Sequence, residues 1–143
     1  MWDDAADSPD RSVAEHVRRY LATDGRDGYL EGGVTNLVLT VKGRKSGRCL
    51  RTGLFFEEDD GRYILVASGS AVTQTHPAWY LNIVANPEVG VQILGEPFTA
   101  RARTAEGPER ERLWRMMTEL APVYHTYEAR SRRQIPVVVL EHI

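Results

Sequence analysis

The chain has 143 residues, of which 42% are hydrophobic, 27% charged and 8% aromatic, the make-up of one soluble globular domain with material for a single core. Eighteen Lys and Arg against 20 Asp and Glu leave a formal charge of −2, which argues against whole-molecule attraction to nucleic acid or to an anionic membrane. Cys49 is the single cysteine, so neither an internal disulfide nor a cysteine-based zinc site can form. No apolar run approaches the roughly 18 residues of a membrane helix, and the first residues lack a signal peptide's pattern. The cytoplasm is the expected compartment.

In chain order, an acidic start (Asp3, Asp4, Asp7, Asp10) leads into a short helix. Ser8-Pro9 is read as its cap and first-turn proline, and Val13, Val17, Tyr20 and Leu21 share one face. Gly25 and Gly28 end it. Val34 to Lys42 reads as a strand, Gly43 to Arg48 as a turn, and Leu50 to Glu57 as the returning strand. Asp59-Asp60-Gly61 is a hairpin turn before a strand over Tyr63 to Ser68. A polar loop from Gly69 to Thr75 precedes a helix entered at Thr75-His76-Pro77 and stopped by Asn86-Pro87. Val89 to Leu94 and Phe98 to Thr104 form a hairpin around Gly95-Glu96-Pro97. Gly107-Pro108 opens a helix with Leu113, Met116, Met117 and Leu120 at helical spacing, broken near Pro122. A Tyr-rich segment and an apolar strand, Val137 to Leu140, close the chain. About six short strands with inserted helices predict an α+β domain built around a small barrel. Clean βαβ alternation, G-x-G-x-x-G and a Walker motif are all absent.

Charge is unevenly placed. Lys42, Arg44, Lys45, Arg48 and Arg51 fall within ten residues that hold no acid, a pattern that fits either a local anion site or a solvated hairpin tip. Inside it, Gly43-Arg44-Lys45-Ser46-Gly47 can turn backbone N–H groups toward an anion, with Lys45 as a point charge, Arg44 as a fork and Ser46 as a hydroxyl donor. Ala67-Ser68-Gly69, followed by His76-Pro77-Ala78-Trp79-Tyr80, joins a small-residue strand end to a helix start, where a planar ligand could approach the backbone. Trp79 serves equally as core packing. Tyr124 and Tyr127, three apart, would present two hydroxyls on one helical face, or cap a core edge. Other templates fail. His16, His76, His125 and His142 show no ligand spacing with carboxylates, so no metal is expected. Ser68 lacks a nucleophile-elbow context, and Cys49 lacks a histidine partner in sequence. A cofactor that carries the chemistry, or simple binding, remains.

Taken in order, Thr40-Val41-Lys42-Gly43-Arg44-Lys45-Ser46-Gly47, Val66-Ala67-Ser68, His76-Pro77-Ala78-Trp79-Tyr80-Leu81-Asn82, Ala85-Asn86-Pro87, Tyr124-His125-Thr126-Tyr127 and Ile135-Pro136-Val137-Val138-Val139 resemble the deazaflavin-dependent nitroreductase family. The resemblance runs over roughly residues 30 to 141. It implies a split β-barrel related to the FMN-binding oxidase fold over residues 30–143, preceded by an N-terminal helix and connector over 1–29. It implies coenzyme F420 as cofactor, with FMN the alternative. It implies hydride delivery to quinones, nitroaromatics, or activated enones and lactones of coumarin or aflatoxin type. By position, Arg44, Lys45, Ser46 and Gly47, with Arg51, would hold the coenzyme's phosphate. Thr52, Gly53, Leu54, Phe55, Val66, Ala67, Ser68, Ala78 and Trp79 would line the deazaflavin. Tyr124 and Tyr127 would face the substrate, with Tyr124 and Ser68 as the catalytic pair. The chain departs from the family at Cys49 and Gly53, where proline is common, at Leu50, where arginine is common, and at Ala121, where an aromatic is common; the last implies a wider substrate mouth. The expected partners are a small electron-poor acceptor, no nucleic acid and no stable membrane insertion, in a monomer or homodimer. A non-catalytic protein binding deazaflavin or another anion is the alternative from a different class. A barrel binding single-stranded nucleic acid is disfavoured by the net charge.

Overall fold

A computed structural model describes residues 2, 4–69, 75–131 and 133–143. Among them the element order is α1 (Arg11–Ala22), β1 (Leu30–Glu31), β2 (Val34–Lys42), β3 (Cys49–Phe55), β4 (Glu57–Asp59), β5 (Arg62–Val66), α2 (Ala78–Ala85), β6 (Glu88–Ile93), β7 (Glu96–Thr104), α3 (Gly107–Leu120), α4 (Val123–Arg130) and β8 (Val137–His142). None of these helices is long and apolar enough to cross a membrane. The strands pair in the order β1-β2-β6-β7-β8-β5-β4, with β3 also on β2. Val38, Leu39 and Thr40 pair with both β3 and β6, so β2 lies between them. The extended run from Cys49 to Asp59 pairs first with β2 and then, past Phe56, with β5. That crossing curls the antiparallel sheet into a split β-barrel.

Alternation explains why β2 and β8 read as continuous apolar runs: both of their faces are covered. Leu37, Leu39 and Val41 of β2 face the barrel interior with Leu65, Val89, Val91, Val138 and Leu140, and Ile83 of α2 closes that core. On the outer side Val38 meets Val17 and Tyr20 of α1. Val137 and Val139 of β8 meet Leu113 and Met117 of α3 and Tyr124 of α4. The tyrosine hydroxyl of Tyr20 is satisfied within this packing, donating to the Asn36 carbonyl at 3.0 Å and accepting from the Leu94 amide at 2.8 Å.

The six expected strands are present, and two short ones, β1 and β4, join them. The predicted Leu50–Glu57 strand divides at Phe56, which stays bonded to β2 through its amide and the Thr35 carbonyl at 3.1 Å, while Glu57 goes on to pair with Ile64 of β5. The predicted Tyr63–Ser68 strand is Arg62–Val66. The cap of α1 is Asp10 rather than Ser8: its Oδ1 accepts from the Ser12 and Val13 amides at 2.9 and 3.3 Å, while Ser8 Oγ accepts from the Asp10 amide. Ser8 and Asp10, two positions apart, offer competing caps, and the one within reach of two free amides wins. The β6–β7 turn is Leu94-Gly95, one residue earlier than expected, since Ile93 pairs with Glu96. The Asp60-Gly61 turn stands where expected, both residues at positive φ (53° and 76°) as a tight hairpin requires. Residues 70–74 of the expected polar loop lie outside the described residues. The Tyr-rich segment is helical, as α4.

At Gly53 α1 comes close against the sheet. A Cβ there would lie 2.6 Å from His16 Nδ1, and His16 is held in turn by a 2.7 Å hydrogen bond to the Gly28 carbonyl. Gly53→Ala is expected to lower stability by about 1–3 kcal/mol, through displacement of α1; an unchanged melting temperature would remove this account of the glycine.

An ion-pair network fastens α3 to the barrel. Glu109 accepts from Arg103 at 2.6 and 3.0 Å and from Arg62 at 3.0 Å, and Asp59 accepts from Arg62 and Arg112. Hydrogen bonds from Arg103, then Arg62, hold the Glu109 carboxyl down at about 2 against an ordinary 4.5. Because the folded value is depressed, this stabilisation is complete above pH 4.5 and is lost as the pH falls toward 2. Glu109→Gln is expected to flatten the acid side of a pH–stability profile in that window, as read by urea unfolding.

Candidate functional site

The basic turn between β2 and β3 is closed by its own backbone. The Gly43 amide donates to the Arg48 carbonyl at 2.7 Å and the Gly47 amide to the Gly43 carbonyl at 2.9 Å, while Ser46 Oγ accepts from the Arg48 amide at 3.1 Å. Gly47 takes positive φ (73°). Gly43 serves by close approach instead, a Cβ there lying 2.9 Å from Ser46 Oγ. Arg44, Lys45, Ser46, Gly47 and Arg48 are all exposed. Asn82 of α2, 2% exposed, fixes this turn to the helix: its Oδ1 accepts from the Arg44 amide at 3.1 Å and from Arg44 Nη1 at 2.8 Å. Lys42, Lys45 and Arg48 make no ion pair among the described residues, whereas Arg51 does, with Asp7.

Beside the turn lies a cleft of about 250 Å³ between β3, the first turns of α2 and the chain's start. Arg51, Thr52, Ala78 and Trp79, all expected from the sequence, line it together with Leu50 and Asn82. Leu50 and Thr52 share the strand face of Val41 and Leu39, their β2 partners, while Arg51 and Gly53 share that of Thr40 and Val38. Strand alternation therefore prevents residues 51–55 from forming one continuous wall. Gly53 is against α1, and Leu54 packs on the barrel core.

At the far end of β3 the expected residues gather again. Phe55 stacks on Tyr124 with ring centroids 6.1 Å apart and planes at 23°, Tyr127 meets Tyr124 edge-on at 6.0 Å, and Trp114 lies at 6.4 Å. Val66 belongs to the same cluster. Tyr124 is 8% exposed, and burial, with a smaller contribution from Tyr127, pushes its phenol well above the ordinary 10. It therefore stays protonated across the physiological range and can act only as a neutral donor or acceptor.

Ala67 and Ser68 lie at the end of β5, both buried, and Arg133 braces them. Its Nη1 donates to the Ala67 carbonyl at 3.2 Å and its Nη2 to the Ser68 carbonyl at 2.8 Å. Nη1 also lies 3.1 Å from His76 Nδ1, so the imidazole accepts there as the neutral ring. Burial, then the Arg133 charge, lowers the His76 value below its ordinary 6.5, consistent with that state. Sequence reasoning missed Arg133 and Asn82. Asn82 stands inside the His76–Asn82 motif and could have been singled out as a polar residue on an otherwise apolar helix. Arg133 carries no local signal.

The described residues thus form a split-barrel protein with a basic turn, a cleft beside that turn and an aromatic cluster at the far end of β3. The barrel class itself is shared with the heme storage protein HutZ of Vibrio cholerae, at TM-score 0.56 and 16% identity over 76% of this chain and 81% of that one. The chain belongs to the F420H(2)-dependent quinone reductase family, which it matches over residues 12–142. It is 35% identical over 129 residues to an F420H(2)-dependent quinone reductase of Mycobacterium tuberculosis, covering 87% of this chain and 86% of the relative. Among solved structures, the F420-H2-dependent reductase FDR-A is 37% identical at TM-score 0.68, over 74% of this chain and 93% of that one. A domain-swapped dimer is 36% identical at TM-score 0.71, over 94% and 100%. The deazaflavin relationship read from the motifs thus holds: the chain is an F420-dependent reductase, and coenzyme F420 is its cofactor.

Proposed function

We propose that the protein delivers hydride from reduced coenzyme F420 to quinones, and to nitroaromatics and activated enones or lactones of similar size and electron demand. The observation that carries this reading is the cleft between β3 and α2, lined by Thr52, Ala78 and Trp79 together with Arg51, which opens beside the exposed basic turn. The fit to the coenzyme rests on charge: Lys42, Lys45 and Arg48 lack ion-pair partners among the described residues, which suits a phosphodiester and an oligoglutamate tail. Lys45, Arg44, Ser46 and Gly47 would hold the phosphate; Thr52, Ala78 and Trp79, with Ala67 and Ser68 just past β5, would line the ring.

When bound, the reduced deazaflavin supplies the hydride. The chain's part is orientation and charge stabilisation. The Tyr124 hydroxyl, neutral at working pH, donates a hydrogen bond to the acceptor oxygen as negative charge develops there. Tyr127 shapes the acceptor pocket beside it. Arg133 keeps the Ala67 and Ser68 carbonyls fixed, so that the backbone under the ring does not shift. Small electron-poor acceptors in the cytoplasm are the partners of this reading. Nucleic acid has no place in it, and a homodimer is favoured by the likeness to a domain-swapped dimer.

Tryptophan fluorescence titrated with coenzyme F420 and with FMN tests the cofactor preference, using Trp79 as the reporter. Deazaflavin should bind more tightly, with affinity falling as salt rises. Stoichiometric FMN carried through purification, with no deazaflavin binding, would overturn the proposal. Menadione reduction by reduced coenzyme F420, followed by loss of the reduced coenzyme, tests the acceptor class.

A further inference from the structure

The start of the chain forms one wall of the cleft. Ala6 runs parallel to β3 at Leu50; its amide donates to the Cys49 carbonyl at 2.8 Å, and its carbonyl accepts from the Arg51 amide at 3.1 Å. Asp7, Ser8 and Pro9 then line the cleft directly. Further back, Trp2 is seated on Gly90 of β6, where a Cβ would lie 2.6 Å from the indole, and its Nε1 donates to Thr99 Oγ1 at 3.4 Å. The segment is thus attached ahead of Asp7 at Trp2 and Ala6, and after it at the Asp10 cap of α1, by contacts that need no ligand.

Asp7 faces the cationic residue of that cleft. Its Oδ1 accepts from Arg51 Nε at 2.9 Å and from Nη2 at 2.7 Å. Arg51 is the one Lys or Arg among the cleft's lining residues. It is also the more enclosed member of the pair, its side chain 27% exposed against 57% for Asp7. A guanidinium gripped through two donors by a carboxylate has fewer left for a second anion, and the carboxylate repels that anion as well.

We infer that Asp7 is a built-in competitor for Arg51, and that an anionic ligand entering the cleft must take this guanidinium from it. The inference rests on the reading of this cleft as part of the coenzyme's site, with Arg51 at its anionic end. Asp7 then sets how much negative charge a ligand needs before it binds. A phosphate or a polycarboxylate displaces the aspartate, whereas a neutral or weakly charged molecule does not. Arg51 is held in place meanwhile, with its backbone fixed by Ala6.

The test uses the full chain and two probes, coenzyme F420 and inorganic phosphate, each titrated against wild type, Asp7→Asn, Asp4→Asn and the pair Asp7→Asn with Arg51→Gln. Asp4 is an exposed acid of the same segment and makes no ion pair among the described residues, so it controls for net charge. Removing an exposed-pair competitor should tighten binding about two- to fivefold. Asp4→Asn should change it by much less, and the gain should vanish when Arg51 is also replaced. Equal effects of Asp7→Asn and Asp4→Asn would reduce the role to net charge and overturn the inference. Weaker binding in Asp7→Asn would reverse it, making Asp7 a positioning residue that aims Arg51 at the ligand. The two proposals fail separately. Phosphate bound more tightly by Asp7→Asn, with no variant binding coenzyme F420, removes the coenzyme reading and keeps the competitor. Coenzyme bound equally by wild type and Asp7→Asn does the opposite.

Discussion

Tyr124→Phe is expected to lower turnover of a quinone acceptor by about 100-fold while leaving coenzyme F420 affinity within a factor of two. The ring stays, so the stack on Phe55 and the packing against Leu113 and Met117 stay. The hydroxyl makes no hydrogen bond to a described residue, so its removal strands no partner and the melting temperature should hold. What is lost is one donor aimed at charge that develops only during the reaction, and such a loss appears in kcat rather than in binding. Because burial raises the phenol above its ordinary 10, the wild-type rate should show no falling limb from this group up to pH 10. Tyr127→Phe should follow in the same direction and more mildly. Tyr124→Ala is a poorer test, since it opens a cavity costing about 3–5 kcal/mol and confounds rate with folding. A Tyr124→Phe enzyme with full turnover would assign the proton, and the charge stabilisation, to solvent.

Much of this site was legible because its parts are written as contiguous runs. The turn from Gly43 to Gly47, the strand end at Ala67-Ser68 and the helix start at Ala78-Trp79 each appear as a local pattern of small, charged or aromatic residues. What the sequence did not disclose is which faces they share. Residues 51–55 look equivalent in a line, but alternation sends Thr52 to the cleft and Gly53 to α1. Arg133 lies 65 residues from Ser68, whose carbonyl it holds, and a pairing set by the path of the barrel leaves no trace in either neighbourhood. The acidic start read as a charge imbalance; only the fold turns Asp7 toward Arg51, 44 residues on. The Asp10 cap was hidden differently, by Ser8 and Asp10 both being good cap residues two positions apart. Length and periodicity gave the long strands, whereas β1 and β4, two and three residues long, are too short to carry a period.

Lys45→Ala is expected to weaken coenzyme F420 binding about 10- to 100-fold, the loss of one charge-assisted contact worth roughly 1.5–3 kcal/mol. The fold should not notice: Lys45 is exposed, in a turn closed by the Gly43, Gly47 and Ser46 hydrogen bonds and fastened through Arg44 to Asn82. Arg44→Ala would be a less clean probe, because it also cuts the link from the turn to α2. The salt dependence supplies an independent reading. A lysine that meets the coenzyme's phosphate contributes to the fall in affinity with ionic strength, so the Lys45→Ala plot of log affinity against log salt should be shallower than that of wild type. At saturating coenzyme, turnover should recover to near the wild-type value, since the turn lies at the other end of β3 from Tyr124. If Lys45→Ala instead lowers turnover at saturation and leaves affinity intact, the two ends of the site are assigned in reverse. If neither quantity moves, the turn is a solvated hairpin, and the anion end must be sought at Arg51 alone.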